Sequence, residues 1–365
     1  MIDDGMTPLT VWFSEVGREA RALVGGKVAS LGELLRAGCR VPPGFAVTSA
    51  AYQRFVEANG LDLVIRASLA GLSADDLAAT EASARRLQKA FVEAPIPSEL
   101  AEKIRAEYRR LANLAEEPEP AVAVRSSAVA EDTEAASFAG QHETYLWIRG
   151  EDEVLDAVRR CWASAFTPRA IAYRAHQRIG PEAGAIAVGV QRMVEARAAG
   201  VLFTLSPRSG DPSVIVIEGS WGPGVAVVGG EVTPDEYWVN KVTLEITRKQ
   251  VACKTHRYAA DGRHGQLRKI EVETDLQNQA CLSDEEITVL ADLARRLERH
   301  YGHALDIEWA VTESTGCPEN IYVLQARPET VWSQRRREPV AKSFTDPLSF
   351  IVQRLTGSTP GVGVA

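Results

Sequence analysis

Residues 304–313, ALDIEWAVTE, and 320–327, NIYVLQAR, read as two short strands. The run between them, Ser314, Thr315, Gly316, Cys317, Pro318 and Glu319, is turn chemistry. Folded as a hairpin, the pair sets Glu308 against Gln325 and Asp306 against Arg327. Side chains alternate along a strand, so these four share one face. The other face then carries Ile307, Trp309 and Val311 against Ala326, Leu324 and Tyr322, an apolar floor. A slip of one residue would drive the charges into that floor, so the register is well specified.

Two acids, an amide and an arginine on one face have two readings. One is a cross-strand Asp306–Arg327 ion pair on a solvated surface, which contributes little. The other is a cation site. Carboxylate and amide oxygens suit Mg²⁺, and a guanidinium suits a phosphate bound to it. The hairpin alone leaves both open.

The 365 residues suffice for two or three domains, and 45% hydrophobic with 25% charged residues is ordinary for a soluble protein. A net charge of −8 argues against a nucleic-acid surface, so an anionic ligand must be drawn by local cations. Cys39, Cys161, Cys253, Cys281 and Cys317 are scattered and odd in number, which argues against a disulfide framework or a structural zinc. The opening MIDDGMTPLT has no basic and apolar leader, and no apolar run reaches membrane-spanning length. The expected location is cytoplasmic, with no membrane or nucleic-acid partner.

Upstream, a strand at 9–13 leads to Gly25-Gly26-Lys27, which opens a helix striped by Leu31, Leu34 and Leu35 and stopped at Gly38. Lysine at such a helix start can reach a phosphate. Val41-Pro42-Pro43-Gly44-Phe45 leads into a strand, with Ser49 expected to cap the next helix. Residues 62–113 read as a helical packing subdomain, with Leu100, Ile104, Tyr108 and Leu111 on one face. The polar linker EEPEP (116–120) follows it, then a buried-type strand, 121–125, that delivers Arg125.

The loop containing Ser137, Ala139 and Gly140, with Thr144 entering the next strand, is either a phosphate-approaching backbone or a plain hairpin. Two helices follow, the first striped by Val154, Val158 and Trp162. Strands at 185–193, 198–205 and 213–217 are either plain core strands or place Gln191, Met193 and Val194 where an adenine could find amide, sulfur and backbone contacts. Glu218 heads a glycine-punctuated turn, and 256–275 reads as an exposed excursion. Ser283 and Glu286 form a capping box for a helix striped by Ile287, Leu290, Ala294, Leu297 and Tyr301. The Gly/Pro/Ser/Thr-rich tail reads as a linker or docking segment.

Taken in order, GGKVASLGELLRAGCRVPPGFAVT, AVRSSAVAEDTEAASFAGQHETYL, VGVQRMV, SPRSGDPSVIVIEGSWGPG, PDEYWVNK, DIEWAV and LQARPET follow one layout. Over about residues 10–332 the chain resembles the N-terminal nucleotide-binding domain of pyruvate phosphate dikinase, phosphoenolpyruvate synthase and rifampicin phosphotransferase. The resemblance implies an α+β ATP-grasp fold, two lobes clamping ATP, with a helical insertion. The expected division is an N-terminal lobe at 1–120 with its helical subdomain, the remaining sheets at 121–332, and a tail at 333–365.

By the same resemblance, Lys27 and Arg125 match phosphate-binding cations, Gly140 and Thr144 the phosphate loop, and Gln191 an ATP-contacting position. Glu308 and Gln325 match the Mg²⁺–ATP ligands, and Arg327 the arginine on the terminal phosphates. Arg125 and Arg327 are the expected catalytic pair, and ATP and Mg²⁺ the expected ligands. Val28, Pro223 and Val225 depart from the family pattern. Family members continue into a swivelling domain with a phosphorylated histidine, whose opening the terminal STPGVGVA resembles. The expected partner is therefore a histidine-bearing subunit that carries phosphate to a small acceptor. A separate nucleotide-binding subunit of this size resembles that of phenylphosphate synthase, with phenol as acceptor. The alternatives are the N-terminal domain of a phosphoenolpyruvate synthase or rifampicin phosphotransferase, and a non-catalytic nucleotide-binding scaffold.

Overall fold

A computed structural model describes residues 7–72, 76–128, 143–176, 185–260, 267–313 and 316–332. In chain order, β1 (Thr10–Trp12) is followed by α1 (Arg21–Arg36), β2 (Gly44–Val47) and the helices α2 (Ser49–Ala58), α3 (Leu61–Leu69), α4 (Leu77–Glu93) and α5 (Ser98–Ala115). Next come β3 (Val122–Ala128), β4 (Thr144–Ile148), α6 (Glu151–Ser164), α7 (Pro168–His176) and β5 (Ile186–Arg192). The second half holds β6 (Ala198–Phe203), β7 (Val214–Trp221), α8 (Val225–Val228), β8 (Asp235–Asn240) and β9 (Ile246–Gln250). It ends with β10 (His256–Ala260), β11 (Leu267–Glu271), α9 (Asp284–Tyr301), β12 (Leu305–Val311) and β13 (Ile321–Pro328).

Among the described residues the strands form an antiparallel sheet of order β1-β2-β5-β3-β4 and another of order β13-β12-β6-β7-β8-β9, with β10–β11 a separate ribbon. The sheets divide between Arg192 and Ala198. The sequence division near residue 120 separates linker from strand and not one sheet from the other.

Each sheet has its own core. The first gathers Phe55, Phe91, Trp162 and Phe166 from α2, α4 and α6 and the segment after it, over Phe45, Val124 and Val188. Phe55 and Trp162 rings lie 4.7 Å apart, close enough for aromatic packing beyond simple burial. The second gathers the stripe of α9, including Ile287, Leu290 and Leu297, with Trp309 and Ile217 of its sheet. Helix α1 contributes Val24, Val28 and Leu31 to that second core while packing on β3 and β5 of the first sheet as well as on β13. It thereby ties the two sheets together.

Local chemistry accounts for the helix ends. Ser283 Oγ accepts from the Glu286 N–H, and the Glu286 carboxylate accepts from the Ser283 N–H, completing the expected capping box. The cap of α2 is Thr48, which accepts from the Ala51 N–H; Ser49, expected in that role, is the first helical residue. The 62–113 stretch is broken into α3, α4 and α5, with Leu100, Ile104, Tyr108 and Leu111 all buried.

The C-terminal hairpin pairs Asp306 with Arg327, Ile307 with Ala326 and Glu308 with Gln325, as alternation requires. Beyond Glu308 the register shifts by one: Trp309 faces Val323 and Val311 faces Ile321, where strict alternation expects Leu324 and Tyr322. The reason is packing. Ile321 and Val323 are the β-branched residues that fill the core, while Leu324 and Tyr322 stay half-exposed, Tyr322 under the Arg40 guanidinium at 4.6 Å. A bulge makes this change while Glu308 stays half-exposed and Gln325 is buried. No helix among the described residues is long and apolar enough to cross a membrane.

Candidate functional site

The bulge sits beside a cavity of about 380 Å³ whose wall includes Arg125, Thr144 and Gln191 of the first sheet and Glu308, Trp309 and Leu324 of the second. A narrower recess adjoins it, shares Arg125, Gln191 and Leu324, and adds Lys27 and Gln325. Lys27, Arg125, Thr144, Gln191, Glu308 and Gln325 thus come from strands and a helix far apart in the chain and meet at one cleft, while Arg327 lines neither cavity.

Arg125 is central. It lies mid-strand on β3, paired with Gly189 on one side and Thr144 on the other. Its Nη2 donates to Gln325 Oε1 at 2.6 Å and stands 3.7 Å from Glu308 Oε2. Its buried Nε has no hydrogen-bond partner among the described residues. A guanidinium from one sheet therefore sits on the amide and carboxylate oxygens of the other.

Lys27 reaches the same recess from α1, with Nζ donating to the Ser126 carbonyl at 3.3 Å. Its approach depends on Gly25, whose φ of 74° is left-handed and whose absent Cβ would strike the Ser127 carbonyl. Ser127 Oγ in turn accepts from the Val28 N–H at 3.2 Å. Val28 is buried, and its Cγ2 stands 3.0 Å from where a Cβ on Gly189 would lie. It fills the space that glycine leaves.

Gln191 is buried on β5 and donates weakly to the Pro42 carbonyl at 3.5 Å. The Met193 N–H donates to the Ala121 carbonyl at 2.8 Å, and Met193 lies on the cavity wall. The neighbouring Val194 backbone makes no hydrogen bond among the described residues and lies on the cavity wall. Pro223 and Val225 line the same cavity as an apolar wall. Gly140 lies outside the described residues, and Thr144 is exposed at the start of β4.

Arg327 lies one pair further along the hairpin, where Nε and Nη2 donate to Asp306 Oδ2 at 2.8 and 2.6 Å. The ion-pair reading of that pair is therefore correct, and it coexists with the oxygen pair at Glu308 and Gln325. Burial pushes the Asp306 carboxyl above its ordinary value; Arg327 opposes this, and Glu308 and Glu329 add to it. Across the sheet Gln325, Glu308, Val201, Glu218 and Glu236 form one in-register row. The Glu218 carboxyl is likewise raised, by burial first and by Glu236 second. Of this row Glu308 meets Arg125 of the other sheet, while Glu236 is paired with Arg208 at 2.6 Å.

Glu308 and Gln325 offer two hard oxygen donors on adjacent strands, held in line by the register. That donor set fits Mg²⁺, which commonly takes one or two protein ligands and completes its shell with phosphate and water. Sequence reading missed Trp147 and Arg192 on the cavity wall; nothing in a single strand's pattern distinguishes them from ordinary β residues.

An α+β molecule whose two antiparallel sheets enclose such a cleft is an ATP-grasp protein. Residues 21–347 match the family model described as pyruvate phosphate dikinase, AMP/ATP-binding domain, and the chain belongs to that family. A probable phosphoenolpyruvate synthase from Staphylothermus marinus is 44% identical over 91% of this chain and 42% of its own length. Another from Methanocaldococcus jannaschii is 41% identical over 96% of this chain and 29% of its own. A phosphoenolpyruvate synthase from Pseudomonas aeruginosa is 44% identical over 85% and 40%. The chain thus spans less than half the length of these relatives. A solved D-alanyl-alanine synthetase A from Vibrio cholerae aligns over 76% of this chain and 64% of its own at 12% identity and a TM-score of 0.26, a likeness too loose to add to the description.

Proposed function

We propose that this chain is the ATP-activating part of a dikinase-type phosphotransferase, passing the pyrophosphoryl group of ATP to a histidine outside residues 1–365 and releasing AMP. The phosphorylated histidine would then lose phosphate and hand the remaining phosphoryl group to a small acceptor. The observation that carries this reading is Arg125 of one sheet lying on Gln325 and Glu308 of the other, which brings a cation and a pair of hard oxygen donors to one point.

The residues have distinct roles in this reading. Lys27 and Arg125 bind and orient the phosphates, and Thr144 and Gln191 line the path of the nucleotide. Glu308 and Gln325 would hold Mg²⁺, which neutralises phosphate charge when bound. Arg327, oriented by Asp306, faces the charge that develops on the transferring group. Such fixed electrostatic groups supply most of the barrier reduction where little covalent chemistry is asked of the domain. Free thiols and use of ATP suit a cytoplasmic setting.

The similarity to phosphoenolpyruvate synthases supports pyruvate as the final acceptor and this chain as the N-terminal part of such a system. A separate subunit serving a phenol-type acceptor is the second reading, resting on the resemblance in size to the nucleotide-binding subunit of phenylphosphate synthase. Incubation with ATP labelled at the β and γ positions and each candidate histidine-bearing protein tests the proposal. AMP, phosphate and an acid-labile phosphohistidine are expected, with pyruvate or phenol then discharging it. ADP as the sole product, formed without any partner, would refute it.

A further inference from the structure

We infer that Trp147 is the surface on which the base of the bound nucleotide stacks, and that it favours purine over pyrimidine nucleotides. The inference rests on the nucleotide reading of the cleft and adds a residue to it.

Trp147 departs from its strand in a specific way. It lies within β4 yet has φ of 57°, a left-handed backbone that a bulky aromatic rarely adopts. The β3–β4 pairing breaks at this place: Val122 faces Ile148 and Val124 faces Tyr145, so Leu146 and Trp147 together oppose one residue. Bulges of this kind re-aim a side chain beside a site, and strained backbone persists where a ligand contact needs it.

Its surroundings say where the indole is aimed. Trp147 is buried, yet it belongs to neither hydrophobic core. It is instead a wall shared by the 380 Å³ cavity and an outer cavity of about 700 Å³. The inner cavity shares Arg125 and Gln191 with the recess of Lys27 and Gln325, and shares Trp147, Met193, Val194 and Pro223 with the outer one. Within the inner cavity the ionic groups Arg125 and Glu308 stand on one side and Trp147, Met193, Val194 and Pro223 make an apolar wall on the other, where it meets an outer cavity lined by charged residues such as Arg149 and Arg257. A nucleoside triphosphate has the same polarity, and its base belongs at the end held by Trp147. The Val194 backbone, with no hydrogen bond among the described residues, supplies a donor and an acceptor for the base edge at that same end. A purine covers more of an indole than a pyrimidine does, which is the origin of the preference.

Calorimetric titration of the full chain with ATP, CTP and inorganic tripolyphosphate, each with Mg²⁺, tests this. Base–aromatic stacking is worth enough that Trp147→Ala should weaken ATP by about tenfold or more. Tripolyphosphate should bind the variant as it binds the wild type, the ATP-over-CTP preference should shrink, and Trp147→Phe should keep most of the ATP affinity. Unchanged ATP affinity in Trp147→Ala, or an equal fall for ATP and tripolyphosphate, would overturn the inference. Arg125→Ala separates the two levels. If it weakens tripolyphosphate while Trp147→Ala leaves ATP untouched, the site stands and only the stacking role falls. If the wild type binds neither ATP nor tripolyphosphate, both readings fall.

Discussion

Removing the Arg125 guanidinium should turn the nucleotide-free protein into a better binder of divalent cations. In the structure Nη2 donates to Gln325 Oε1 at 2.6 Å and faces Glu308 Oε2 at 3.7 Å, the two oxygens proposed to hold Mg²⁺. The guanidinium stands in for the cation, and a divalent ion entering beside it meets a positive charge. Two unit charges 3.7 Å apart interact by about 4 kcal/mol at an effective dielectric constant near 20. The Arg125 and Glu308 side chains are 19% and 26% exposed, so solvent screens part of this. A realistic gain in the variant is then about 1.5–3 kcal/mol, or roughly ten- to a hundredfold in affinity. Titration of Mn²⁺ without nucleotide, followed by electron paramagnetic resonance, compares wild type with Arg125→Met. The variant should bind Mn²⁺ more tightly, and adding Glu308→Gln should abolish the gain. The same Arg125→Met change should weaken ATP, because the phosphates lose a cation. Equal or weaker Mn²⁺ binding by Arg125→Met would show that Arg125 does not guard the oxygens, and the argument would fail.

Glu308→Gln in the otherwise wild-type chain should weaken Mg²⁺–ATP by about tenfold or more while sparing the fold, read by calorimetry beside a thermal melt. The Lys254–Asp235 pair is wholly buried at 2.6 Å, and Asp235 also accepts from the Ala252 and Cys281 N–H groups and the Tyr237 hydroxyl. Lys254→Met leaves that carboxylate without its cation and should cost about 3–5 kcal/mol in urea unfolding; a change below 1 kcal/mol would contradict this. Burial would raise the Glu286 carboxyl, but the Ser283 N–H, Arg197 and Asn320 hold it below its ordinary value near 4.5. Its stabilisation is therefore present above that value and is lost as pH falls through the depressed one, so Glu286→Gln should be less stable at neutral pH and flatter in its acid unfolding profile.

The hairpin shows how far local pattern reaches. Alternation of ALDIEWAV and NIYVLQAR is a property of neighbouring residues, and it was enough to set Asp306 on Arg327 and Glu308 on Gln325. It could not show the bulge beyond Glu308, because that depends on which of Val323 and Leu324 fits under the core of α9 and β7. The helix stripe of α9 and its capping box were likewise legible, whereas the cap of α2 moved by one residue to Thr48 through a contact with the Pro8 carbonyl.

The order of motifs along the chain determined the family and pointed to Lys27, Arg125, Gln191, Thr144, Glu308, Gln325 and Arg327. Composition determined that any phosphate must be met by local cations in an acidic protein. Only the tertiary structure decided that Arg125 rests on Gln325, 200 positions away in the chain, and that Arg327 is committed to Asp306. It also decided that Trp147 leaves its strand for the cleft. Sequence spacing governs groups a few residues apart, through backbone period and turn geometry. Contacts between sheets depend on how two separately formed cores dock, and no interval along the chain encodes that distance.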